Sequence, residues 1–343
     1  MTDTPEVPLL EITGLRTYFF TAAGIVKAVD NVDLRVERGQ VLGLVGESGS
    51  GKSVLSMSVL KLVAEPGRLV SGSVRLDGEE LLDKSRRQMR DVRGGRIGMV
   101  FQQPVSSLNP AFTAGFQISE VYEVHSGLSR KAGKQRAAEM LARVGIPDAG
   151  RRVRSFPHEL SGGMAQRVMI AMALAAGPEL LIADEPTTAL DVTIQAQILD
   201  LMAELQADLG MAMVLITHDL GVVAEMADRV AVMYAGRIVE DGDTATVFDD
   251  PRHPYTQGLL GSVPVIGNRR ERLAVIPGRV PGLIDLPPGC KFASRCEARI
   301  RLGLTRCTEA EPALVAVEPG HRVRCYVHHD VAEEVPVAAP TRA

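Results

Sequence analysis

The glycine-rich segment from Gly46 to Ser53 is the first part of the sequence whose residue types suggest chemistry. It reads Gly-Glu-Ser-Gly-Ser-Gly-Lys-Ser and fits the pattern G-x-x-x-x-G-K-[ST]. It follows the apolar run Val41 to Val45 and precedes a helical pattern, which is the context that a phosphate-binding loop requires. Glycines let successive backbone N–H groups turn toward phosphate oxygens, and the helix N-terminus adds positive potential. The segment therefore predicts a nucleotide phosphate site.

Within this loop, two side chains have expected roles of their own. We expect Lys52 to reach the β- and γ-phosphates and the hydroxyl of Ser53 to bind Mg²⁺. ATP and Mg²⁺ are therefore the predicted cofactors of the site. The other loop residues predicted to contact the nucleotide are Gly46, Ser48, Gly49, Ser50 and Gly51.

A second group of candidate residues follows the apolar run Leu180 to Ala183, which ends in the adjacent carboxylates Asp184 and Glu185. We expect Asp184 to hold Mg²⁺ through a water molecule and Glu185 to polarise the attacking water. An acidic pair at a strand end is by itself usually a solvated loop. Here it follows a phosphate loop on the same alternating sheet, which favours the hydrolytic interpretation.

Between these two groups, Ser161-Gly162-Gly163 opens a predicted helix. Such a sequence can be a simple N-cap, but it can also bind an anion, and the chain already has one anion site in its phosphate loop. With this motif the chain resembles the ABC ATPase family, whose signature motif it is. The resemblance implies that two such domains pack head to tail, so that Ser161, Gly162 and Gly163 of one chain complete the ATP site of the other.

Three more motifs match this family in the same order, and the resemblance spans about residues 9–250. Gln102 matches the Q-loop glutamine, which contacts Mg²⁺ and the water and senses the membrane partner. Asp191, in Ala189-Leu190-Asp191, matches the D-loop. His218 matches the switch histidine that contacts the γ-phosphate. A lone histidine after a strand is more often structural, but its place in this ordered series favours the switch.

Two features depart from the family pattern. Ala165 stands where many relatives carry a basic residue, at a position beyond the Ser-Gly-Gly motif. The aromatic residue that stacks on adenine is open among Tyr18, Phe19 and Phe20, because the spacing to Lys52 is longer than usual.

The four cysteines of the chain lie close together in its C-terminal part, at Cys290, Cys296, Cys307 and Cys325. In a reducing cytosol such clustering favours a metal site over disulfides. The spacing contains no C-x-x-C pair, so a zinc ribbon or knuckle is a poor match. Four thiolates can still hold Zn²⁺ or an iron–sulfur cluster, and four unligated cysteines are the remaining alternative.

The residues around these cysteines resemble the C-terminal extension of dipeptide and oligopeptide importer ATPases. The matching segments are His253 to Thr256, Pro277-Gly278 and Pro287 to Cys296, and Val105 to Pro110 matches the same subgroup after the Q-loop. In members that retain all four cysteines, the resemblance implies a [4Fe–4S] cluster held by the extension. We therefore predict such a cluster, with a structural role, in preference to zinc.

The elements that position these residues alternate between strand and helix, which predicts a parallel sheet with helices on both faces. With the resemblance, this gives an α/β fold, a P-loop NTPase of ABC type with a RecA-like core, an antiparallel β subdomain and a helical subdomain at about 104–176. Prolines become frequent after Asp250. The predicted domains are therefore an ATPase domain at 1–250, a small irregular extension at 251–330 and a flexible tail at 331–343.

Composition restricts the functions that the chain can have. The net charge of −4 provides no global basic field to attract nucleic acid, so no nucleic-acid partner is expected. The N-terminus lacks the pattern of a secretory signal. The longest apolar run, Val168 to Ala176, is shorter than the roughly 18–20 residues of a membrane span. We therefore expect a peripheral protein on the cytoplasmic face of the cell membrane, docked to other chains.

The leading hypothesis is an ATP-hydrolysing subunit that energises an importer of dipeptides or oligopeptides. Its expected partners are a second ABC ATPase (a paralogue or an identical copy), two integral membrane permease subunits and, indirectly, an extracytoplasmic peptide-binding protein. Nickel or glutathione stays open as cargo because the ATPase never touches the cargo. A soluble ABC ATPase acting on DNA or ribosomes is less favoured, because the chain has one cassette and a short insertion before Leu160.

Overall fold

The structure, a computed structural model, describes residues 7–188, 190–262, 276–284 and 286–329. Ala189 of the predicted D-loop and the predicted tail at 331–343 lie outside the described residues. The strands are β1 (Leu10–Thr21), β2 (Gly24–Val36), β3 (Val41–Val45), β4 (Gly67–Leu76), β5 (Glu79–Glu80), β6 (Ile97–Val100), β7 (Leu180–Asp184), β8 (Ala212–Ile216), β9 (Arg229–Tyr234), β10 (Arg237–Asp243), β11 (Val315–Glu318) and β12 (His321–Val323).

The helices follow the same chain order. They are α1 (Lys52–Val59), α2 (Arg86–Val92), α3 (Pro104–Ser107), α4 (Ala114–Ser126), α5 (Arg130–Arg143), α6 (Ala149–Arg152), α7 (Gly162–Leu174), α8 (Val192–Leu209), α9 (Leu220–Met226), α10 (Thr244–Asp249), α11 (Pro254–Gly261), α12 (Glu297–Leu302) and α13 (Arg306–Glu309). Within the described ranges, no helix is both long enough and apolar enough to cross a membrane.

Packing divides the chain into two compact units, each made of three segments. The first unit comprises Met1–Glu11, Arg35–Val41 and Arg75–Ile216, and the second comprises Ile12–Leu34, Leu42–Val74 and Thr217–Ala343. The predicted boundary near residue 250 stays a prediction.

The first unit is built on the parallel strands β6, β7 and β8, which are neighbours in that order. Every residue of β7 and β8 is buried, as expected for parallel strands that are covered on both faces. The helices α4, α5 and α7 of this unit pack against one another. Their starts are fixed by side-chain caps, since Thr113 accepts a hydrogen bond from Phe116 and Ser129 accepts one from Ala132.

The second unit contains a mixed sheet in which β3 runs parallel to β9 and β9 pairs with β10 as an antiparallel hairpin. The hairpin turns at Ala235 and Gly236, both of which have positive φ. Strand β12 pairs with β10, and β11 pairs with β12. The C-terminal extension therefore adds a hairpin to this sheet, a regular feature that the sequence did not predict.

The extension also shares a hydrophobic core with the sheet of the second unit. Phe292 and Tyr255 are buried with Tyr234 of β9 and Val45, the last residue of β3. The ring centroids of Tyr234 and Tyr255 are 4.6 Å apart, and Phe292 meets the Tyr234 ring edge-on at 5.3 Å. Aromatic pairs in such arrangements stabilise a core beyond the area they bury. The segment after β3 is consequently supported by the extension.

Candidate functional site

The glycine-rich loop lies between β3 and α1, and two of its glycines press against neighbouring backbone. A Cβ atom on Gly46, where φ is 151°, would lie 2.1 Å from the carbonyl oxygen of Met233. A Cβ on Gly51, where φ is 108°, would lie 2.1 Å from the carbonyl oxygen of Ala28. No other residue type fits at these positions, because both the conformation and the contact exclude a side chain.

The loop is held in a closed turn by backbone hydrogen bonds. The N–H of Ser50 donates to the carbonyl of Glu47 at 3.1 Å, and the N–H of Gly236 donates to the carbonyl of Ser50 at 2.8 Å. A Cβ on Gly49, at the apex, would meet no atom of the described residues within 4 Å. The hydroxyl of Ser50 is buried, and no described residue is its hydrogen-bond partner. A glycine-lined turn with an unsatisfied hydroxyl is suited to phosphate oxygens.

Lys52 opens α1 and bends back over the loop. Its side chain is buried, and Nζ donates to the carbonyl oxygens of Gly46 at 2.7 Å and Glu47 at 3.2 Å. Ser53, the next residue of the helix, is exposed. The ammonium group is thus held at the loop itself, where a phosphate group can replace the carbonyl contacts.

The acidic pair lies at the carboxyl end of β7. Asp184 is the last residue of the strand and is buried, whereas Glu185 has a φ of 47° and its N–H donates to the carbonyl of Ile216. A non-glycine residue in this left-handed conformation is uncommon and is typical of functional positions. One oxygen of Glu185 accepts hydrogen bonds from Gln102 at 2.9 Å and from the hydroxyl of Thr188 at 2.8 Å.

The structure therefore brings together the predicted catalytic residues Gln102 and Glu185 and adds Thr188, which sequence reasoning did not single out. Thr188 lies three residues after Glu185, and its N–H also donates to the Glu185 carbonyl at 3.2 Å. The only sequence signal was a hydroxyl in the turn directly after the acidic pair. Such turns commonly contain threonine, so this signal is weak.

The Ser-Gly-Gly motif and Asp191 lie at two neighbouring helix N-termini. Ser161 caps α7 by accepting from the N–H of Met164, and Asp191 caps α8 by accepting from the N–H of Ile194. A Cβ on Gly163 would lie 2.9 Å from Cγ2 of Ile194, so the two helices approach closely there. Ser161, Gly162 and Asp191 are exposed. This edge therefore offers backbone N–H groups and helix dipoles to an external anion.

His218 lies in the second unit, in the turn between β8 and α9. It is exposed, and the next residue, Asp219, caps α9 by accepting from the backbone N–H groups of Gly221 and Val222. The predicted site residues are thus divided between the units. The glycine-rich loop and His218 belong to the second unit, and the first unit contains Gln102, Ser161, Gly162, Gly163, Asp184, Glu185 and Asp191.

The three aromatic residues left open as adenine contacts have different surroundings. The hydroxyl of Tyr18 donates to Asp30 at 2.6 Å, and a Cβ on Gly67 would lie 2.7 Å from the ring of Phe19, which is therefore packed. Phe20 is 43% exposed. The adenine contact stays unassigned.

The four cysteines converge on one small cavity. Its lining includes Cys290, Cys296, Cys307 and Cys325. The N–H of Cys290 donates to the carbonyl of Cys307 at 2.8 Å, and a Cβ on Gly289 would lie 2.1 Å from that same carbonyl oxygen. Glycine at this position allows the loop bearing Cys290 to approach the segment bearing Cys307.

The surroundings of Cys290, Cys307 and Cys325 raise the pKa of each thiol and so favour its neutral form in the absence of a cation. Burial, together with the charges of neighbouring cysteines, raises the pKa of Cys290 to about 11 and that of Cys325 to about 12. Among the described residues, no group of three or more His, Cys, Asp or Glu side chains has an arrangement that could hold a metal ion. A tetrahedral zinc site needs sulfurs about 3.8 Å apart, as Zn–S bonds of about 2.3 Å require.

Comparison with known proteins covers both parts of the chain. The ABC transporter family matches residues 29–188, and the family described as oligopeptide/dipeptide transporter, C-terminal region, matches residues 239–301. A Brucella melitensis protein named for peptide import and ATP binding is 53% identical over 337 residues, which are 95% of this chain and 98% of that protein. The dipeptide transport ATP-binding protein DppD of Escherichia coli is 48% identical over 94% of this chain and 98% of its own length.

The solved structures agree with these sequence matches. The ATP-binding cassette MJ0796, in a dimeric post-hydrolysis state bound to ADP and Pi, has a TM-score of 0.62 and 29% identity to this chain. The match covers 68% of this chain and 98% of that cassette. The predicted α/β fold of ABC type is thereby confirmed, as is the resemblance stated from the motifs. The chain belongs to the ABC transporter family.

Proposed function

We propose that this chain is the ATP-hydrolysing, nucleotide-binding subunit of an importer for dipeptides or oligopeptides. The observation that carries the proposal is the near full-length similarity to peptide transport ATP-binding proteins, which includes the cysteine-bearing extension. The ATPase does not touch the cargo, so the peptide assignment rests on this similarity, whereas the chemistry rests on the site.

Nucleotide binding is assigned to the loop after β3. The loop's N–H groups and the Ser50 hydroxyl bind the phosphates, and Lys52 exchanges its contacts with Gly46 and Glu47 for the β- and γ-phosphates. Ser53, Asp184 and Gln102 are the residues that would hold Mg²⁺, and the ion would neutralise negative charge on the phosphates. The full set proposed to contact ATP from this loop is Gly46, Ser48, Gly49, Ser50, Gly51, Lys52 and Ser53.

Hydrolysis is assigned to Glu185 as the group that polarises the attacking water. Gln102 and Thr188 orient its carboxylate by their hydrogen bonds to one oxygen. His218 contacts the γ-phosphate as the switch residue. An oriented carboxylate can accept a proton from water without a large cost in reorganisation, which is the general-base role expected in this site.

The second half of the ATP site is proposed to come from another ABC ATPase subunit, a paralogue or an identical copy. The exposed N-termini of α7 and α8, with Ser161, Gly162, Gly163 and Asp191, are available to a partner's γ-phosphate. Val192 begins α8 and is 82% exposed, an apolar side chain that an interface would cover. ATP then joins the two subunits, and hydrolysis releases them.

The subunit is proposed to act at the cytoplasmic face of the cell membrane, bound to two integral permease subunits. An extracytoplasmic peptide-binding protein delivers the cargo and interacts with this chain only through the permeases. Closing of the ATPase pair switches the permeases between inward- and outward-facing states. No nucleic-acid partner is proposed.

A Glu185→Gln variant tests the chemical part of the proposal. We expect it to bind ATP with a dissociation constant close to that of the unmodified protein, while turnover falls by about 10²–10⁴, the usual size of a general-base contribution. Glu204→Gln, at an exposed position of α8, is the matched control and should retain full activity. Near-normal hydrolysis by Glu185→Gln would show that another group activates the water.

Copurification tests the transport part. The tagged chain, extracted from its native membrane in detergent, should bring integral membrane permeases with it. Recovery with ribosomes or DNA and without permeases would contradict the importer assignment.

We further propose that Cys290, Cys296, Cys307 and Cys325 hold a [4Fe–4S] cluster with a structural role. The convergence of the four cysteines on one cavity supports this assignment. A four-iron cluster holds its four cysteine sulfurs farther apart than a single zinc ion does, so the lack of a single-ion arrangement in the described residues is compatible with it. A bound cation would also offset the cost of ionising the buried thiols.

Anaerobic purification followed by visible absorbance and metal analysis tests this second proposal. We expect a brown protein with about four irons per chain. Cys307→Ala should lower the iron content in proportion to the loss of colour. A colourless preparation that contains zinc would overturn the assignment.

A further inference from the structure

Every polar group of Glu47, the second residue of the glycine-rich loop, makes a hydrogen bond. Its backbone N–H donates to the hydroxyl of Tyr255 at 2.8 Å. Its carbonyl accepts from the N–H of Ser50 and from Nζ of Lys52. Its carboxylate accepts two hydrogen bonds from Arg295, at 2.7 and 3.1 Å. Two of these partners, Tyr255 and Arg295, belong to the C-terminal extension.

Arg295 is itself fixed from several sides. Its side chain is only 4% exposed, and Nε donates to the carbonyl of Pro277 at 2.7 Å. The guanidinium group lies 5.8 Å from the ring centroids of both Tyr234 and Phe292, within the range of cation–π attraction. A buried arginine with a two-point contact to a carboxylate is a rigid connection, since the planar group fixes the orientation of its partner.

Tyr255 is held just as firmly. It is fully buried, and its ring packs on Tyr234 and Phe292. Its hydroxyl therefore reaches the loop from a fixed position in the core. The backbone N–H of Glu47 is committed to this hydroxyl, so the loop cannot rotate there without losing a buried hydrogen bond.

We propose that Arg295 and Tyr255 are positioning residues for the phosphate loop, and that through them the extension sets the affinity of the site for ATP. Neither residue belongs to the set proposed to contact the nucleotide. They act through Glu47, which fixes the curvature of the loop and presents the carbonyl that Lys52 contacts before phosphate binds. The inference rests on the proposed ATPase function and adds a role for the extension in it.

The position of Arg295 in the chain gives this connection a further consequence. Arg295 immediately precedes Cys296, and Cys290 lies five residues before it, so the arginine is between two of the four cysteines that line the cavity. The short helical turn Ala293–Arg295 joins them. Any change that loosens the cysteine-bearing segment therefore also loosens the support of the phosphate loop.

Three conservative substitutions test the proposal in the full chain. Tyr255→Phe removes only the hydroxyl and retains the packed ring. Glu47→Gln removes the charge at a side chain that is 31% exposed, and Arg295→Lys retains the charge but loses the two-point geometry. Arg301→Ala, at an exposed position of α12, is the matched control.

We expect each of the three variants to bind ATP roughly three- to tenfold more weakly, as the loss of one or two hydrogen bonds predicts. Turnover at saturating ATP should change less than twofold, because the groups that activate water are not affected. Glu47→Gln combined with Arg295→Lys should cost little more than either change alone, since both remove the same contact.

Hydrogen exchange without nucleotide gives a readout that does not depend on activity. Amides of the segment 41–55 should exchange faster in Tyr255→Phe and Arg295→Lys than in the unmodified protein or in Arg301→Ala. Unchanged exchange together with unchanged ATP affinity would overturn the inference. If the unmodified protein bound no ATP, the proposed function would fail, while the exchange data would still decide whether the extension holds the loop.

Discussion

The hydroxyl of Thr188 donates a 2.8 Å hydrogen bond to Glu185, at the carboxylate oxygen that also accepts from Gln102. Because two donors bond to this oxygen, the orientation of the carboxylate does not depend on one contact alone. We infer that Thr188 positions the proposed catalytic carboxylate from within the same turn.

Replacing Thr188 by valine tests this role. The variant retains the shape of the side chain but loses the hydroxyl, so we expect turnover to fall about tenfold, the value of one well-placed hydrogen bond. KM for ATP should change less than twofold, because Thr188 contacts the carboxylate and not the phosphate loop. Thr188→Ser retains the hydroxyl and should recover most of the activity. Steady-state ATPase assays compare the three proteins, and equal turnover in Thr188→Val would remove this role.

The parts of the site that sequence predicted are those that a local pattern determines. The phosphate loop is one example, since the turn itself requires positive φ at Gly46 and Gly51, and this requirement lies within a short segment. The helix starts at Ser161 and Asp191 are another, because capping uses residues three positions apart.

The connection between Glu47 and Arg295 could not be predicted in this way. The two residues are 248 positions apart, and their pairing depends on how the extension packs into the core of the second unit. Strands β11 and β12 were missed for a related reason. They are four and three residues long, which is too short for an alternating pattern to be recognised in the sequence. They form because β12 pairs with the free edge of β10.

Gly46 and Gly49 should respond differently to alanine. At Gly46 the added methyl group would lie 2.1 Å from the backbone carbonyl of Met233, which belongs to β9 and cannot move freely. At Gly49 the methyl group would meet no atom within 4 Å in the part of the chain that the structure describes, and the cost that remains is that of a positive φ, about 1–2 kcal/mol. We expect Gly46→Ala to lower the free energy of unfolding by more than about 3 kcal/mol and to abolish ATP binding.

Urea denaturation and nucleotide binding of the two variants provide the comparison. Gly49→Ala should fold with a modest loss of stability. If both variants lose the same amount, the close approach to Met233 does not determine the shape of the loop.

Gly162 offers a test of the proposal that two subunits share an ATP site. It is exposed at the N-terminus of α7, and among the described residues a Cβ there would meet Leu190 alone, at 3.6 Å. An aspartate at this position should not destabilise its own helix, because a negative charge is favourable near a helix N-terminus. It would, however, repel the γ-phosphate of a partner's ATP.

We therefore expect Gly162→Asp to lower the ATPase rate of the assembled transporter by at least about tenfold, as repulsion of roughly 1.4 kcal/mol or more predicts. ATP affinity of the isolated chain should stay unchanged, since its own phosphate loop is intact. Gly162→Ala is the matched control and should remain active. A loss of ATP binding in the isolated Gly162→Asp chain would mean that the effect arises within one subunit.

Glu240 is fully buried and connects β10 to the extension. Its carboxylate accepts hydrogen bonds from the backbone N–H groups of Arg252 and His253, at 2.6 and 2.9 Å, and pairs with Nε2 of His321 at 2.8 Å. Burial by itself raises the pKa of Glu240, but the hydrogen bonds to its carboxylate, that of His321 first among them, together outweigh burial, so the pKa lies below the ordinary value. The ionised form is therefore the one that the fold stabilises.

The pH dependence of a Glu240→Gln variant follows from the direction of this shift. Because the folded-state pKa is lowered, the stabilisation is complete above the ordinary glutamate pKa of about 4.3 and is lost as the pH falls through the folded-state value. At pH 7 the variant should lose about 3 kcal/mol in free energy of unfolding, since an amide cannot accept all of these hydrogen bonds. The difference in free energy of unfolding from the unmodified protein should narrow below about pH 4.

Urea titrations at several pH values measure this difference. Glu318→Gln, on the surface, is the control and should change stability by less than about 0.5 kcal/mol. A difference that stays constant from neutral to acid pH would show that the charge of Glu240 does not hold the extension to β10.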